Sequence, residues 1–127
     1  MRIDRILLGS ILVSVIMSFA CVRTRSRLDA IEALERFRQY RGAQLYFNAT
    51  EGRYGKPEEL RSHGLIDTNF IGDPAYRYRT TTTDTEYTIS AEPRRSDNFS
   101  IFMDQTGVIR VSEGSPATAA SEPIKMQ

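Results

Sequence analysis

The apolar residues of this chain change their spacing along its length, and each change marks a new element. From Ile6 to Val22 they form a nearly unbroken run. From Arg27 to about Asn48 the positions Leu28, Ile31, Leu34, Phe37, Tyr40, Ala43 and Phe47 recur every three or four residues, with Asp29, Glu32, Glu35, Arg36 and Arg38 between them. That spacing predicts an amphipathic helix with one core-facing stripe. Ser26 to Asp29 has the outline of a weak capping box, which would start a new helix there. If the cap is not used, one helix runs from Ile6 to about Asn48, roughly 60 Å at 1.5 Å per residue.

The punctuation Glu51-Gly52-Arg53-Tyr54-Gly55-Lys56-Pro57 stops that helix. Pro57 suits the first turn of a second, short helix, with Glu58 and Glu59 at its positive end. It should run to about His63 and be closed by Gly64 in a left-handed cap, with Leu60, Leu65 and Ile66 packing it back on the first helix. Asp67 to Pro74 reads as a loop. Then the period becomes two: Tyr76, Tyr78 and Thr80 alternate with Arg77 and Arg79, and Tyr87, Ile89 and Ala91 with Thr88 and Ser90. These runs predict a hairpin with aromatics on its inner face. Phe99 to Met103 is a third strand and Val108 to Val111 a fourth, joined by the turn Asp104-Gln105-Thr106-Gly107, where Gly accepts a positive φ. Beyond Ser112 the sequence is small, polar and aperiodic, and is expected to be a disordered tail. The expected division is therefore a membrane anchor or signal over 1–26, an α+β domain over 27–112 and a tail over 113–127. The domain would pack a long N-terminal helix, first apolar and then amphipathic, on a four-stranded antiparallel sheet.

The run from Ile6 to Val22 is at the lower edge of what spans a bilayer and places the protein in membrane lipid or across it. As an uncleaved anchor it would keep Arg2 and Arg5 cytoplasmic, but Arg23, Arg25 and Arg27 crowd the other end, so charge gives no clean orientation. Cleavage after Ser18-Phe19-Ala20 is a second fate. A third is acylation of Cys21, the only cysteine, which would make the protein a lipoprotein. In each case the folded domain is expected on the extracytoplasmic, periplasmic side. The chain has 127 residues, so what remains after the anchor and tail holds one modest core. A net charge of +1 argues against nucleic acid as a partner. The single cysteine excludes an internal disulfide and any multi-cysteine metal site.

No catalytic constellation stands out, and neither an enzyme activity nor a cofactor or metal is expected. His63 reads as a solvated helix-end residue. Asp67, Asp73, Asp97 and Asp104 read as turn formers, their spacing matching no calcium loop. Tyr76, Tyr78 and Tyr87 read as core and not as a binding platform. Arg77, Arg79, Arg94 and Arg95 are the candidate interaction surface, a basic rim for anionic lipid or an acidic partner. Cys21 is the candidate lipidation site.

The stretch from Ala43 to Leu60, with Glu51-Gly52-Arg53-Tyr54 as its turn and an acidic-Leu pattern after Pro57, resembles the end of the spine helix and following loop of type IV pilins and type II secretion pseudopilins. Phe99 to Arg110, with its Asp-x-x-Gly turn, is similar to the closing hairpin of the same domains. The resemblance covers about residues 28–112 and implies a pilin-like fold. It also implies a membrane-tethered envelope protein that acts by protein–protein interaction with other membrane or envelope proteins, as in type II secretion or pilus-like assembly. Gly9 is the one candidate for prepilin cleavage; Ser10 follows it, and Ser14 stands where the family carries Glu. That departure keeps open a second reading, a single-span accessory subunit of an unrelated integral membrane complex.

Overall fold

The computed structural model describes the backbone of residues 2–70, 72–95 and 97–124, with side chains from residue 27 onward. One helix, α1 (Arg2–Glu51), runs unbroken for 50 residues, about 75 Å at 1.5 Å per residue. The cap at Ser26 is therefore not used. Nothing in the sequence forces a break, since no proline precedes Pro57.

The buried stripe of α1 is Ala30, Ala33, Phe37, Tyr40, Ala43, Gln44 and Phe47. Three expected members are not in it: Leu28 is 59% and Ile31 55% exposed, and Leu34 is half-buried at the edge of the core. The reason is helical geometry. Steps of three fall about 60° short of a full turn, so Leu28, reached from Phe37 by three such steps, lies on the opposite side of the cylinder. Alternating steps of three and four, as in Ala30, Ala33, Phe37, Tyr40, Gln44 and Phe47, hold one face.

The chain reverses after Glu51, and the reversal is fixed from inside the core. Gln44, fully buried, donates from Nε2 to the carbonyl of Gly55 at 2.7 Å and accepts at Oε1 from the Gly55 N–H at 3.0 Å. The same Nε2 donates to the Tyr40 hydroxyl at 3.2 Å. Glycine also suits the space here: a Cβ at position 55 would stand 3.0 Å from the Phe47 ring, which would have to give way. Tyr54 N–H donates to the Asp84 carbonyl at 3.2 Å, which ties the reversal to the tip of the first hairpin.

Helix α2 (Pro57–Ser62) follows and buries Pro57 and Leu60. Its start is held by Glu59, which accepts the Lys56 N–H at 3.2 Å and both guanidinium nitrogens of Arg53, at 3.2 and 2.6 Å. The Arg53 guanidinium also lies 5.2 Å from the centre of the Phe47 ring. At the other end His63 is the C-cap, Gly64 has φ 71°, and Leu65 N–H donates to the Leu60 carbonyl, as the sequence led one to expect.

The sheet is antiparallel with consecutive strands as neighbours: β1 (Tyr76–Thr82), β2 (Tyr87–Pro93), β3 (Ser100–Asp104), β4 (Arg110–Ser112) and β5 (Glu122–Pro123). The fold is thus α+β, one long helix on a five-stranded sheet. The fifth strand corrects the expected four and comes from the stretch read as a tail. Val111 pairs with Glu122 and Arg110 with Pro123, Ile124 N–H donates to Ile109 at 2.8 Å, and Ala117 is buried. A strand this short, with no alternation to show, gives a sequence pattern nothing to register. Inward residues Tyr76, Tyr78, Tyr87, Ile89, Ala91, Ile101 and Met103 meet the α1 stripe, and Tyr40 stacks on Phe70 at 5.6 Å and meets Tyr87 edge-on at 5.7 Å.

Gln44→Leu keeps the volume but strands both polar groups of Gly55, and is expected to lower unfolding free energy by about 2–4 kcal/mol, measured by denaturant titration in mild detergent. Glu59 supplies a pH test. Its carboxyl is held at about 2, below the usual 4.5, by the Arg53 fork first and the Lys56 N–H second. The stabilisation is present above the usual value and is lost as pH falls through the folded one. The denaturant midpoint should therefore drop from pH 5 to pH 2 in the parent chain and drop less in Glu59→Gln.

Candidate interaction surface

The groups that could carry chemistry are mostly committed to structure. Asp73, 4% exposed, accepts from the Tyr78 hydroxyl at 3.0 Å and from the Ala75 N–H at 2.8 Å, which fastens the loop before β1. Asp104 accepts the Thr106 N–H at 3.0 Å and shapes the turn into β4. That turn ends at Gly107, φ 77°, where a Cβ would meet Arg41 Nε at 2.5 Å. His63 is exposed and sets its ring edge-on to Phe47 at 5.2 Å. Among the described residues no three His, Cys, Asp or Glu side chains converge as metal ligands.

The tyrosines are core. Tyr76 is fully buried, Tyr78 and Tyr87 nearly so, and Tyr54 packs edge-on to Tyr87 at 4.9 Å. Burial raises all three phenols: Tyr87 is pushed up to about 12, and Tyr76 and Tyr78 higher still, with the Asp73 charge adding to burial.

The four candidate arginines do not form one rim. Arg77 and Arg79 sit on the outer face of β1, opposite Glu92 and Ser90 of β2. Arg94 and Arg95 lie beyond the end of β2, in the connection to β3, where they line a depression of about 230 Å³ with Asp29 and Asp97. Arg94 N–H donates to the Ala75 carbonyl at 3.0 Å, so the start of this connection is tied to the entry of β1. Beside it lies a second depression lined by Arg27, Ala30, Ile31, Leu34, Asp97 and Phe99. The arginines of the connection therefore belong with the helix where it enters the domain, and those of β1 with the open sheet face.

Sequence reasoning missed a surface on the back of α1. Leu45 is 55% and Tyr46 61% exposed, on the same side of the helix as Leu28 and Ile31. The Glu35–Arg38 ion pair, 3.3 Å, lies between the two apolar groups. A helical plot with the core face set by Phe37, Tyr40 and Phe47 would have found it. Cys21 and the run from Ile6 to Val22 lie in the part of α1 whose side chains fall outside the described residues. Among the described residues no helix is long and apolar enough to cross a membrane. Compared with family models, curated proteins and solved structures, the chain matches none.

Because burial raises the phenols above the usual 10, their contribution to stability is complete below pH 10 and is lost as pH rises through the folded values. In an alkaline titration, phenolate absorbance from these residues should appear together with loss of near-ultraviolet circular dichroism. Early ionisation of all the tyrosines with tertiary structure intact would contradict the packing described.

Proposed function

We propose that this chain is a membrane-tethered, pilin-like envelope protein that works by protein–protein contact, in the manner of a pseudopilin. The observation that carries the reading is α1 itself. Its C-terminal half is built into the sheet through Phe37, Tyr40 and Phe47, while the same helix continues without a break through the apolar run Ile6 to Val22. A reversal pinned to the helix, then a short helix and an antiparallel meander, is the order that the family resemblance implies. The mechanism is positional: the N-terminal segment holds the domain at the membrane, and the open sheet face with Arg77 and Arg79 and the back of α1 with Leu45 and Tyr46 meet partners.

The second reading, a single-span subunit of an unrelated membrane complex, is favoured by Ser14. A carboxylate in an otherwise apolar segment is costly and kept for function, and this chain has none between Ile6 and Val22. Under that reading the helix packs against other spans and the assembly signal of a filament subunit has no role.

The test is the mass of the mature chain taken from membranes, followed by purification in mild detergent. The expected mass is that of the chain from Met1, resistant to alkaline extraction. A mass beginning at an acylated Cys21 replaces the anchor by the lipoprotein form. Co-purification of secretion or pilus components supports the first reading, and a stable complex of other membrane proteins the second. Leu45→Lys with Tyr46→Lys is expected to release the partner while shifting stability by no more than about 0.5 kcal/mol, since both side chains are more than half exposed.

A further inference from the structure

We infer that Arg27, Arg94 and Arg95 form a basic collar that holds the domain against anionic phospholipid headgroups. The inference rests on the membrane-tethered reading and adds to it a lipid partner and an orientation.

Three observations bring these groups together. First, the chain from Ile6 to Leu28 carries Arg23, Arg25 and Arg27 and no acidic residue. Second, α1 is continuous here, so Asp29 stands about 10 Å along the axis from Val22, within reach of the headgroup layer flanking the hydrocarbon core. Third, Arg94 and Arg95 share a depression with Asp29, and the neighbouring one joins Arg27 to Asp97 and Phe99. The fold thus returns the β2–β3 connection, more than sixty positions later in sequence, to the level where α1 emerges from the domain. Arginines 27, 94 and 95 are all exposed. The acidic groups at this level are Asp29, Asp97 and, beside Arg95, Glu92; in the sequence, arginines 23, 25, 27, 94 and 95 set five positive charges against these three.

Anionic lipid is the occupant that this arrangement fits best. Its phosphates accept paired guanidinium hydrogen bonds, and it is present all round a membrane helix at the depth where the collar sits. Arg79, opposite Ser90 on the outer sheet face, and Lys56, exposed at the start of α2, lie away from the end of β2. They provide the control.

The experiment uses the full chain in vesicles of phosphatidylcholine, with or without phosphatidylglycerol. The chain has no tryptophan, so Ile31→Trp, at an exposed position in the second depression, is a sole reporter, quenched by lipid carrying a nitroxide on its headgroup. Quenching should be about twofold stronger with phosphatidylglycerol and should fall to the neutral-lipid level in molar salt. Arg94→Gln with Arg95→Gln should abolish the difference, whereas Lys56→Gln with Arg79→Gln, the same loss of charge, should leave it. Equal quenching in the two lipids, with the chain floating with both, overturns the collar and leaves the anchor standing. Equal loss in both double variants also overturns it, by reducing the effect to net charge. A chain that floats with neither vesicle removes the anchor and the collar together. Should the Arg94/Arg95 variant misfold by circular dichroism, the salt response of the parent chain decides: quenching in phosphatidylglycerol that is unchanged by salt sinks the proposal.

Discussion

The domain depends on one buried amide. A helix as long as α1 can be covered by a small sheet only if the chain turns back sharply at its end, and that turn must be held where water cannot help. Gln44 does this by presenting both an acceptor and a donor to the backbone of Gly55, at 3.0 and 2.7 Å, from a position that is fully buried. A purely apolar side chain at this position would leave the Gly55 N–H and carbonyl without partners inside the core, where each unpaired group costs about 1–3 kcal/mol. Everything after the reversal takes its position from it: Pro57 and α2, the Arg53–Glu59 fork, and the first hairpin through the Tyr54–Asp84 hydrogen bond.

Small residues then set how near the helix comes to the sheet. Ala33 and Ala43 on the α1 stripe and Ala91 on β2 are at or near zero exposure and belong to one core cluster. With little side chain at these points, the large rings of Phe37, Tyr40 and Phe47 fill the space between, and Tyr40 can touch Phe70 and Tyr87 together. Arg41 lies over the turn at Gly107, whose φ of 77° favours glycine. Packing of this kind fixes the rotation of the helix about its axis, and therefore also which residues it turns outward. Leu28, Ile31, Leu45 and Tyr46 are exposed because the core has claimed the opposite side.

How much of this was legible in the sequence follows from which signals repeat. The helices, the first hairpin and the turn at Gly107 announced themselves through period and punctuation, and the inner placement of Tyr76, Tyr78 and Tyr87 followed from alternation. The helix stripe was only half legible. A row of apolar residues spaced by three looks amphipathic, yet it winds round the helix, so Leu28 and Ile31 were assigned to a core that uses Ala30 and Ala33. Gln44 was invisible because a polar residue on a helix is read as solvated unless its partner, here a glycine eleven residues on, is known. Strand β5 was invisible because Glu122–Pro123 is too short to alternate. The arginines were legible as residues but not as a surface, since sequence could not say that β2 ends at the foot of the domain while β1 carries Arg77 and Arg79 up its open face.

The continuity of α1 bears on mechanism more than any single side chain. Had the helix restarted at Ser26, the domain would hang from a hinge, and its orientation relative to the N-terminal segment would be averaged by rotation about that joint. One helix from Arg2 to Glu51 removes the hinge. In the proposed arrangement, tilt and rotation of the apolar segment pass directly to the sheet through the ring contacts at Phe37, Tyr40 and Phe47. Rigidity alone leaves the tilt undetermined, because a lone helix in lipid is free to lean. A second contact off the helix axis is what removes that freedom. The β2–β3 connection, carrying Arg94 and Arg95 beside the emerging helix, is the part of the fold placed to make it. A spine with one such foot presents the outer sheet face and the back of α1 in fixed directions, which a protein acting by position requires.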